Sequence, residues 1–310
     1  MTARVADAFM AWGHGTAATT QRVRAATGEG MASAMAAVVP PFTGGKLYAT
    51  VDGRFSFVIV LFDLDGRLLC TLDGDAVTRL RTPAGSALAI RHLAAPGATV
   101  AAVIGAGRQG LGHLTMLRDE LPGLAEVRVH ARRPEAAAQL VEQAVEQGIP
   151  AVVAGSTEAA VTGAEVVVTL TASTEPLFPA ASVGDRTLIC AVGSTKYDRC
   201  EIGPDVVGRC VAVVADDVTG SHSECGDLIR AEAAGTFTWD RAVELHAVVA
   251  GKAAVPRAGQ GPVLFETQGV ALQDVATASL AWQRYRYLHP EQSPPPPPHD
   301  PSTAPEEEHP

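Results

Sequence analysis

A glycine-rich turn between a β-like run and a helical run constrains the fold of this chain more than any other feature. Residues 99–104 are apolar or β-branched almost throughout, which is typical of a buried parallel strand. Gly105, Gly107 and Gly110 follow in the spacing G-x-G-x-x-G, and an amphipathic run then begins at residue 111. Strand, turn and helix in this order predict a dinucleotide-binding unit; a tight turn without a ligand is the alternative.

The residues of this turn have different expected roles. Gly105 permits the tight turn, Gly107 lets the backbone approach a pyrophosphate, and Gly110 lets the helix pack close to the strand. Free N–H groups at the helix start favour phosphate oxygens. Arg108 and Gln109 stand between the glycines, so they are assigned to the same cofactor site.

The end of the next predicted strand bears on the choice of nucleotide. Residues 127–130 are followed by Ala131, Arg132 and Arg133, with no acidic residue beside the arginines. Asp or Glu at this place takes the ribose 2′-hydroxyl of NAD, whereas Arg accommodates the 2′-phosphate of NADP. The sequence therefore favours NADPH, with NADH possible; a solvated basic loop is the alternative.

Strands and helices alternate after the glycine turn. This alternation predicts a Rossmann-type, doubly wound parallel sheet, with ligands outside the carboxyl ends of its strands. Thr171 and Ser194 follow two of the predicted strands, so they are expected near the nicotinamide half of the cofactor. The predicted strands after the turn are 127–130, 151–154, 165–171, 187–192 and 210–215, and the predicted helical segments are 134–148 and 157–162.

The first part of the chain has a different pattern. Short β-like runs lie between residues 20 and 72, separated by Gly, Pro and Asp-Gly turns. Asp-Gly pairs between apolar runs are strong hairpin signals. The pattern predicts a mainly antiparallel substrate and dimerisation lobe, preceded by a short helix at 2–13.

A helix is predicted just before the glycine turn. Thr82 is a good N-cap and Pro83 suits the first helical position, so the helix is expected over residues 84–94. Arg81 then precedes the helix, where the dipole does not favour a cation. An anionic ligand or a nearby carboxylate would each account for Arg81 at this place.

These patterns together predict three regions. Helical segments at 239–250 and 269–287 are expected to pack back onto the antiparallel lobe. The proline-rich, acidic tail cannot bury a core and is predicted to be disordered. The predicted regions are a β-rich lobe over 1–95 closed by helices of 240–288, a Rossmann domain over 96–239, and the tail over 289–310.

Composition excludes several classes of function. The net charge of -10 argues against a nucleic-acid partner, which needs a basic face. No apolar run reaches the roughly 18 residues of a membrane span, and no secretory signal is recognisable at the N-terminus. The five cysteines are an odd set without C-x-x-C spacing, which favours reduced thiols in a cytoplasmic protein and no metal site.

Short motifs recur along residues 20–282 outside the glycine turn as well as in it. They are Gly45–Leu47, Leu72–Gly74, Thr78–Ala87, Ile104–Gln109, Val192–Ser194 with Glu201, Asp216–Asp217, Glu224–Leu228, and Phe265 with Gly269–Ala271 and Asp274. Together these motifs resemble the ornithine cyclodeaminase/mu-crystallin family, which includes cyclodeaminases, alanine dehydrogenases and ketimine reductases. The stretch 216–230 looks most like the pyrroline- or piperideine-2-carboxylate reductase branch.

The resemblance implies a homodimer joined through the β lobes, with each active site between a β lobe and its own Rossmann domain. It implies that Arg81 and an early-strand arginine hold the substrate carboxylate; Arg22 matches best, with Arg24 in reserve. Paired guanidinium groups suit a carboxylate. Lys46 would lie beside the reacting carbon and nitrogen, where neighbouring cations lower its pKa and suit it to exchange a proton.

Two further residues receive roles beside these. Thr82 is assigned to the cofactor site, and Glu224 is a candidate for binding the substrate or a ribose. The usual Pro-Gly-Asn loop after the lysine strand is absent, because residues 46–54 enter a tight turn directly. The size of the substrate therefore stays open.

One departure from the family pattern bears on the reaction. Cyclodeaminases of the resembling family carry an Asp two residues after the glycine that here is Gly193, whereas this chain has Thr195. The absence of that carboxylate favours net hydride transfer. The predicted function is NAD(P)H-dependent reduction of a small cyclic 2-imino acid. The alternatives are a cyclodeaminase with bound NAD, an amino-acid or opine-like dehydrogenase, and a non-catalytic NADPH-binding protein.

Overall fold

Two β-sheets of different construction organise the chain, which the computed structural model describes over residues 1–52 and 54–290. Within these residues one sheet is antiparallel with six strands, and the other is parallel with eight. The predicted α/β fold class with a Rossmann-type sheet and an antiparallel lobe is confirmed. Almost all of the predicted tail, residues 291–310, lies outside the described residues.

The antiparallel sheet forms from consecutive hairpins, as the Asp-Gly turns predict. Its strands follow the order β1-β3-β4-β5-β6, and β2 pairs with β3 at one edge. Alternate residues of β3, such as Met35 and Ala37, are buried on the face that the C-terminal helix α10 (Ala271–Leu288) covers. The elements of this lobe are α1 (Thr2–Gly13), β1 (Ala18–Thr19), β2 (Val23–Ala26), β3 (Met31–Val39), β4 (Phe42–Val51), β5 (Arg54–Asp63) and β6 (Leu68–Asp73).

The helix that follows is longer than the sequence predicts. Helix α2 (Gly74–Leu93) begins after Asp73, whose side chain accepts a hydrogen bond from a backbone N–H of the first turn. The prediction that Thr82 caps the helix is therefore wrong, and Arg81 lies inside the helix rather than before it. Pro83 removes one backbone donor, but the helix is buried on most sides over residues 81–90, and this packing outweighs the lost hydrogen bond.

The parallel sheet has the strand order β13-β12-β14-β11-β10-β7-β8-β9. The chain runs outward from β7 to β9 and then returns to β10 on the other side of β7, which makes a topological switch point between β7 and β10. The elements are β7 (Val100–Ile104), α3 (Gly110–Glu120), β8 (Glu126–His130), α4 (Pro134–Glu146), β9 (Ala151–Val153), α5 (Thr157–Val161), β10 (Val166–Thr169), β11 (Leu188–Ala191), α6 (Pro204–Arg209), β12 (Ala212–Ala215), α7 (Val218–Glu224), α8 (Gly226–Ala233), β13 (Ala242–Glu244), α9 (Leu245–Val249), β14 (Val263–Glu266) and α10 (Ala271–Leu288).

This sheet extends beyond residue 239, where the sequence predicts its end. The pattern over 239–250 predicts a helix, but it contains the edge strand β13 before the short α9. Strand β14 is fully buried between β11 and β12, and nothing in a run of four buried residues distinguishes such a strand from a buried helical segment. Helix α10 does pack back onto β3, β4 and α2, as predicted.

A continuous apolar core joins the two sheets. It includes Phe9 of α1, Ile59 of β5, Leu88 of α2, Val103 of β7 and Leu272 of α10. None of the described helices combines the length and apolar character that a bilayer-spanning segment requires. The loops at the carboxyl ends of the parallel strands are therefore held against the antiparallel lobe by shared packing.

Candidate functional site

A groove of about 740 Å³ lies at the switch point of the parallel sheet. Backbone of the glycine turn forms one wall, and the loop after β10 forms another. The lining residues are Ile104, Gly105, Ala106, Gly107, His130, Ala131, Arg132, Arg133, Ala136, Thr157, Thr171, Ala172, Ser173, Leu177 and Arg199. The predicted residues Gly105, Gly107, Arg132, Arg133 and Thr171 are thus brought together at the predicted edge of the sheet.

The shape of the glycine turn fits a dinucleotide. Gly105 has φ +113°, and a Cβ there would lie 2.8 Å from the Leu170 carbonyl oxygen. A Cβ on Gly107 would meet nothing within 4 Å, so the backbone at this position is open to a ligand. A Cβ on Gly110 would lie 2.6 Å from Leu140 of α4, so this glycine allows close packing of two helices rather than of helix and strand, which corrects the predicted role.

The other two residues of the turn lie away from the groove lining. Arg108 is largely exposed and forms an ion pair with Asp75 across 3.3 Å. The Gln109 side chain donates a hydrogen bond of 3.4 Å to the Thr78 carbonyl of α2. Both residues tie α3 to α2 in this structure, and a cofactor contact by either of them stays a prediction.

Thr82 and Ser194 are buried outside the groove lining. The Thr82 hydroxyl donates to the Thr78 carbonyl of the preceding helical turn, at 2.8 Å. The Ser194 carbonyl accepts a hydrogen bond of 3.4 Å from Gln268. Thr82 therefore has an intrahelical partner here, and Ser194 joins the loop after β11 to the loop after β14.

Glu201 organises the loops beside the groove, a role that sequence reasoning missed. Its fully buried carboxylate accepts hydrogen bonds from the hydroxyls of Thr169 and Thr171 and from the backbone N–H groups of Thr171 and Gly193. Burial raises the pKa of Glu201, and the hydrogen bonds oppose this effect. The ends of β10 and β11 are thus fixed to one side chain.

A second cavity, of about 170 Å³, lies between the antiparallel lobe and the loops of the parallel sheet. It is lined by Arg22, Arg24, Met31, Met35, Lys46, Tyr48, Phe55, Phe57, Thr78, Arg81, Thr195, Lys196 and Gln268. The predicted substrate residues Arg22, Arg24, Lys46 and Arg81 come together here. Thr195 also lines this cavity, at the place that the sequence comparison with cyclodeaminases singles out. We name it the substrate cavity.

Lys46 is almost completely buried in this cavity. Its Nζ donates a hydrogen bond of 2.6 Å to the Thr78 hydroxyl and lies 4.7 Å from the centroid of the Phe57 ring. The pKa of Lys46 is lowered to about 8. Burial is the largest cause and Asp274 opposes it, while Arg81 and Arg22 add smaller decreases. The predicted pKa decrease is therefore present, but burial rather than neighbouring cations is its largest cause.

Asp274, in the first turn of α10, holds two of the cavity's cations. One carboxylate oxygen lies 3.4 Å from Lys46 Nζ and 3.5 Å from Arg81 Nε. The next residue back, Gln273, accepts a hydrogen bond of 3.1 Å from Arg81. The sequence alone assigned no role to either residue, because nothing local shows that an acid 228 residues along the chain will contact Lys46.

Arg22 is held from two directions. It donates hydrogen bonds to the carbonyls of Gln268 and Gly269, at 2.8 and 3.0 Å. Its other partner is Glu224, which also forms an ion pair with Arg24. The Glu224 carboxylate thus contacts both of the early-strand arginines that are predicted to bind substrate, and these ion pairs fix the positions of the arginines.

The Gln268–Gly269 loop connects these groups. Buried Asp216 accepts hydrogen bonds from the Thr267 hydroxyl and from the backbone N–H groups of Gln268 and Gly269. Gly269 has φ +79°, and a Cβ there would lie 2.5 Å from Arg81 Nη1. Glycine at this position therefore leaves room for the Arg81 guanidinium group. Two guanidinium groups, a lysine of lowered pKa and a neighbouring nucleotide groove suit proton exchange beside a bound carboxylate.

Comparison with known families and relatives agrees with this geometry. Residues 1–287 match the model of the ornithine cyclodeaminase/mu-crystallin family. The ketimine reductase mu-crystallin of Rattus norvegicus is 32% identical over 228 residues, which cover 73% of this chain and 69% of that protein.

Two solved structures extend the likeness to nearly the whole chain. The probable ornithine cyclodeaminase from Bordetella pertussis Tohama I is 35% identical, with a TM-score of 0.86 over 96% of this chain and 94% of that one. The iminosuccinate reductase of Paracoccus denitrificans, solved in complex with NAD+, is 28% identical, with a TM-score of 0.85 over 93% and 92% of the two chains.

Proposed function

Because the chain belongs to the ornithine cyclodeaminase/mu-crystallin family, we propose that it reduces the C=N bond of a small 2-imino acid. Cyclic ketimines such as pyrroline- or piperideine-2-carboxylate, which would give proline or pipecolate, are the first substrates to test. The observation that supports this best is Lys46, a buried lysine of lowered pKa set beside two arginines in the substrate cavity.

The chain is an oxidoreductase that uses a nicotinamide cofactor, and relatives named as reductases and the nucleotide groove agree on this. When bound, the nicotinamide supplies the hydride that reduces the imine carbon. The groove residues Gly105 and Gly107 would hold the pyrophosphate, and Arg132 or Arg133 the 2′-phosphate of NADPH. We therefore propose NADPH as the preferred cofactor, because no acidic residue lines the described part of the groove.

The chain's own residues divide the remaining work. Arg22 and Arg81 bind the substrate carboxylate and thereby orient the C=N bond. Lys46 gives its proton to the imine nitrogen as the carbon is reduced, so the product leaves as a neutral or protonated amine. Asp274 positions Lys46 and Arg81 together, since one of its oxygens contacts both.

Purified protein supplied with pyrroline-2-carboxylate or piperideine-2-carboxylate tests this function. We expect both to oxidise NADPH, followed at the nicotinamide absorbance band, with a lower KM for NADPH than for NADH. Ornithine and lysine form the competing arm, since a cyclodeaminase would convert them to cyclic products and release ammonia. Turnover of ornithine or lysine without reduction of either ketimine would refute the proposal in favour of deamination.

The outer face of the antiparallel sheet supports a homodimer. Val38, Leu47 and Val51 point away from the buried face and are between two fifths and a little over one half exposed. Leu47 is flanked in register by Ala34 and Val58, so the face is continuously apolar at its centre. We propose that a second copy of the chain covers it. Light scattering should give twice the monomer mass, and Leu47→Asp should shift it toward the monomer.

A further inference from the structure

Of the hydrogen bonds that Lys46 makes with the described residues, the one to the Thr78 hydroxyl is the shortest. Thr78 lies in α2 and lines the substrate cavity. Its Oγ1 accepts a hydrogen bond of 2.6 Å from Lys46 Nζ and donates one of 2.6 Å to the Gly74 carbonyl. A threonine hydroxyl has one hydrogen, so the bond to Gly74 leaves only oxygen lone pairs to face Lys46. Thr78 therefore accepts from Lys46 and cannot donate to it.

The partners of protonated Lys46 leave one of its N–H bonds for a substrate. The ammonium group has three N–H donors. One is directed to Thr78 and a second to Asp274, whose Oδ1 lies 3.4 Å away. The Phe57 ring, with its centroid 4.7 Å from Nζ, attracts the positive charge through its face. The third N–H has no polar partner among the described residues, and the side chain that carries it lines the substrate cavity.

The same two partners also constrain Lys46 after it has given up a proton. The neutral amine keeps two N–H bonds and has a lone pair in the third direction. The Thr78 hydroxyl and the Asp274 carboxylate are both acceptors, so they retain the two N–H bonds and neither of them bonds to the lone pair. The lone pair is thus left to take back a proton from the amino acid product in the reverse reaction.

We propose that Thr78 is a positioning residue, which holds Lys46 so that its transferable proton faces the imine nitrogen. This inference rests on the proposed reduction of a 2-imino acid and adds the residue that orients the proton donor. Thr78 itself exchanges no proton with the substrate, because its hydrogen is bonded to the Gly74 carbonyl. The contact with Asp274 alone is longer, and a lysine held at one point can still rotate about its flexible stem.

Thr78→Val removes the hydroxyl and keeps the shape of the side chain. We expect kcat for imine reduction to fall roughly tenfold to a hundredfold, as for other misplaced catalytic groups, while KM changes little because Arg22 and Arg81 remain. Thr78→Ser keeps a hydroxyl and should restore most of kcat. An unchanged kcat in Thr78→Val, or an equal loss in Thr78→Ser, would overturn the inference.

Thr187→Val is the matched control. Thr187 is buried just before β11, and its hydroxyl donates a hydrogen bond of 2.7 Å to the Ala164 carbonyl. It lines neither the nucleotide groove nor the substrate cavity, so we expect its kcat to match that of the unaltered protein. An equal fall of kcat in Thr187→Val would show that loss of a threonine hydroxyl in general, rather than of the contact with Lys46, is the cause.

Titration of Lys46 gives a readout that needs no turnover. The sequence has three lysines, Lys46, Lys196 and Lys252, so protein labelled with ¹³C at the lysine Cε gives three NMR signals, of which Lys46→Met identifies one. An acceptor for its N–H favours the charged form, so Thr78→Val should lower the pKa of Lys46 by about one pH unit. Thr187→Val should leave this pKa unchanged. An unchanged or higher pKa in Thr78→Val would refute the proposed contact.

The charged neighbours of Lys46 are the same in both variants. They are Asp274 from α10, Arg81 from α2 and Arg22 from the residue before β2. The difference between the variants therefore reports the Thr78 hydroxyl. In Thr78→Val the decline of kcat/KM for reduction should begin about one pH unit lower, because the protonated donor is lost at a lower pH. A decline at the original pH would contradict the inference.

These measurements separate the inference from the function beneath it. If imines are reduced but Thr78→Val keeps both kcat and the pKa of Lys46, only the positioning role of Thr78 fails. If no imine oxidises NADPH or NADH, the proposed function fails, and the NMR signal of Lys46 in Thr78→Val still decides whether the hydroxyl holds the lysine. Thr78→Ala, which removes the same hydroxyl with less bulk, takes the place of the valine variant if that variant does not fold.

Discussion

The nucleotide groove and the substrate cavity are built in opposite ways. The groove takes most of its lining from two consecutive βα turns, and its glycines act through backbone conformation. The substrate cavity takes its charged residues from β2 and the residue before it, β4, α2 and the loop after β11, and the loop after β14 adds Gln268. Its central contact, between Lys46 and Asp274, joins residues 228 positions apart. The nucleotide groove therefore follows from short local sequence motifs, whereas the substrate cavity forms only when the two lobes pack together.

This difference determines how each site should respond to substitution. A groove that binds through backbone N–H groups tolerates the loss of a single side chain, since most of its contacts to the cofactor remain. A cavity that brings several cations together depends on each partner, because one missing charge changes the pKa and position of the others. The following substitutions compare the two sites, beginning with the largest expected effect.

Lys46→Met should separate chemistry from cofactor binding. We expect kcat for imine reduction to fall on the order of 10²–10⁴-fold, the usual contribution of a positioned proton donor. The dissociation constant for NADPH, measured by fluorescence titration, should stay near that of the unaltered protein, because Lys46 does not line the groove. A kcat within a few-fold of the original would exclude Lys46 as the proton donor.

Gly269→Ala should damage the substrate cavity through one methyl group. The added Cβ would lie 2.5 Å from Arg81 Nη1, so the arginine must move away from its carboxylate-binding position. We expect kcat/KM for the imine to fall by roughly tenfold to a hundredfold, which corresponds to the loss of a charge-assisted hydrogen bond.

Gly163→Ala is the matched control for this substitution. Gly163 has φ +78°, close to the +79° of Gly269, but a Cβ there would meet nothing within 4 Å. Both variants should lose about 1–2 kcal/mol of stability from the left-handed backbone conformation, measured by denaturant unfolding. Only Gly269→Ala should lose activity. Similar kinetic losses in both would show that strain, rather than displacement of Arg81, is the cause.

Arg132→Gln tests the one proposed contact in which a side chain of the nucleotide groove selects between NADPH and NADH. If Arg132 binds the 2′-phosphate, KM for NADPH should rise about tenfold while KM for NADH changes little, since NADH lacks that phosphate. Steady-state kinetics with both cofactors measure the ratio. Arg133→Gln distinguishes the two adjacent arginines, and an unchanged NADPH/NADH ratio in both variants would refute the proposed preference for NADPH.

The smallest expected effect is a change in the pH dependence of the two reaction directions. Burial lowers the pKa of Lys46 to about 8, so the protonated donor is lost as the pH rises above this value. The kcat/KM for reduction should therefore decline above pH 8, by at most tenfold per unit. Oxidation of the amino acid product needs neutral Lys46 and should instead increase through the same range. A Lys46→Met variant that keeps the same decline would assign it to another group.

Some features of the fold could be predicted from the sequence, and others could not. The spacing of Gly105 and Gly107 predicted the nucleotide turn, and the Asp-Gly pairs predicted the antiparallel lobe, because both depend on local backbone conformation. The prediction of Thr82 as an N-cap is wrong because the Thr82-Pro83 pair lies inside α2. Burial of this part of the helix outweighs the backbone hydrogen bond that Pro83 cannot donate. Strand β14 was missed because a short buried strand has no periodicity of its own.

The sequence by itself determined that the chain has a nucleotide-binding turn, a parallel sheet around it and a hairpin lobe before it. These features follow from dihedral preferences and apolar patterns that span a few residues. Only the tertiary structure decided that Asp274 joins Lys46 to Arg81 and that Glu224 holds Arg22 and Arg24. Such contacts arise from the packing of distant segments, and no local pattern encodes which charges that packing brings together.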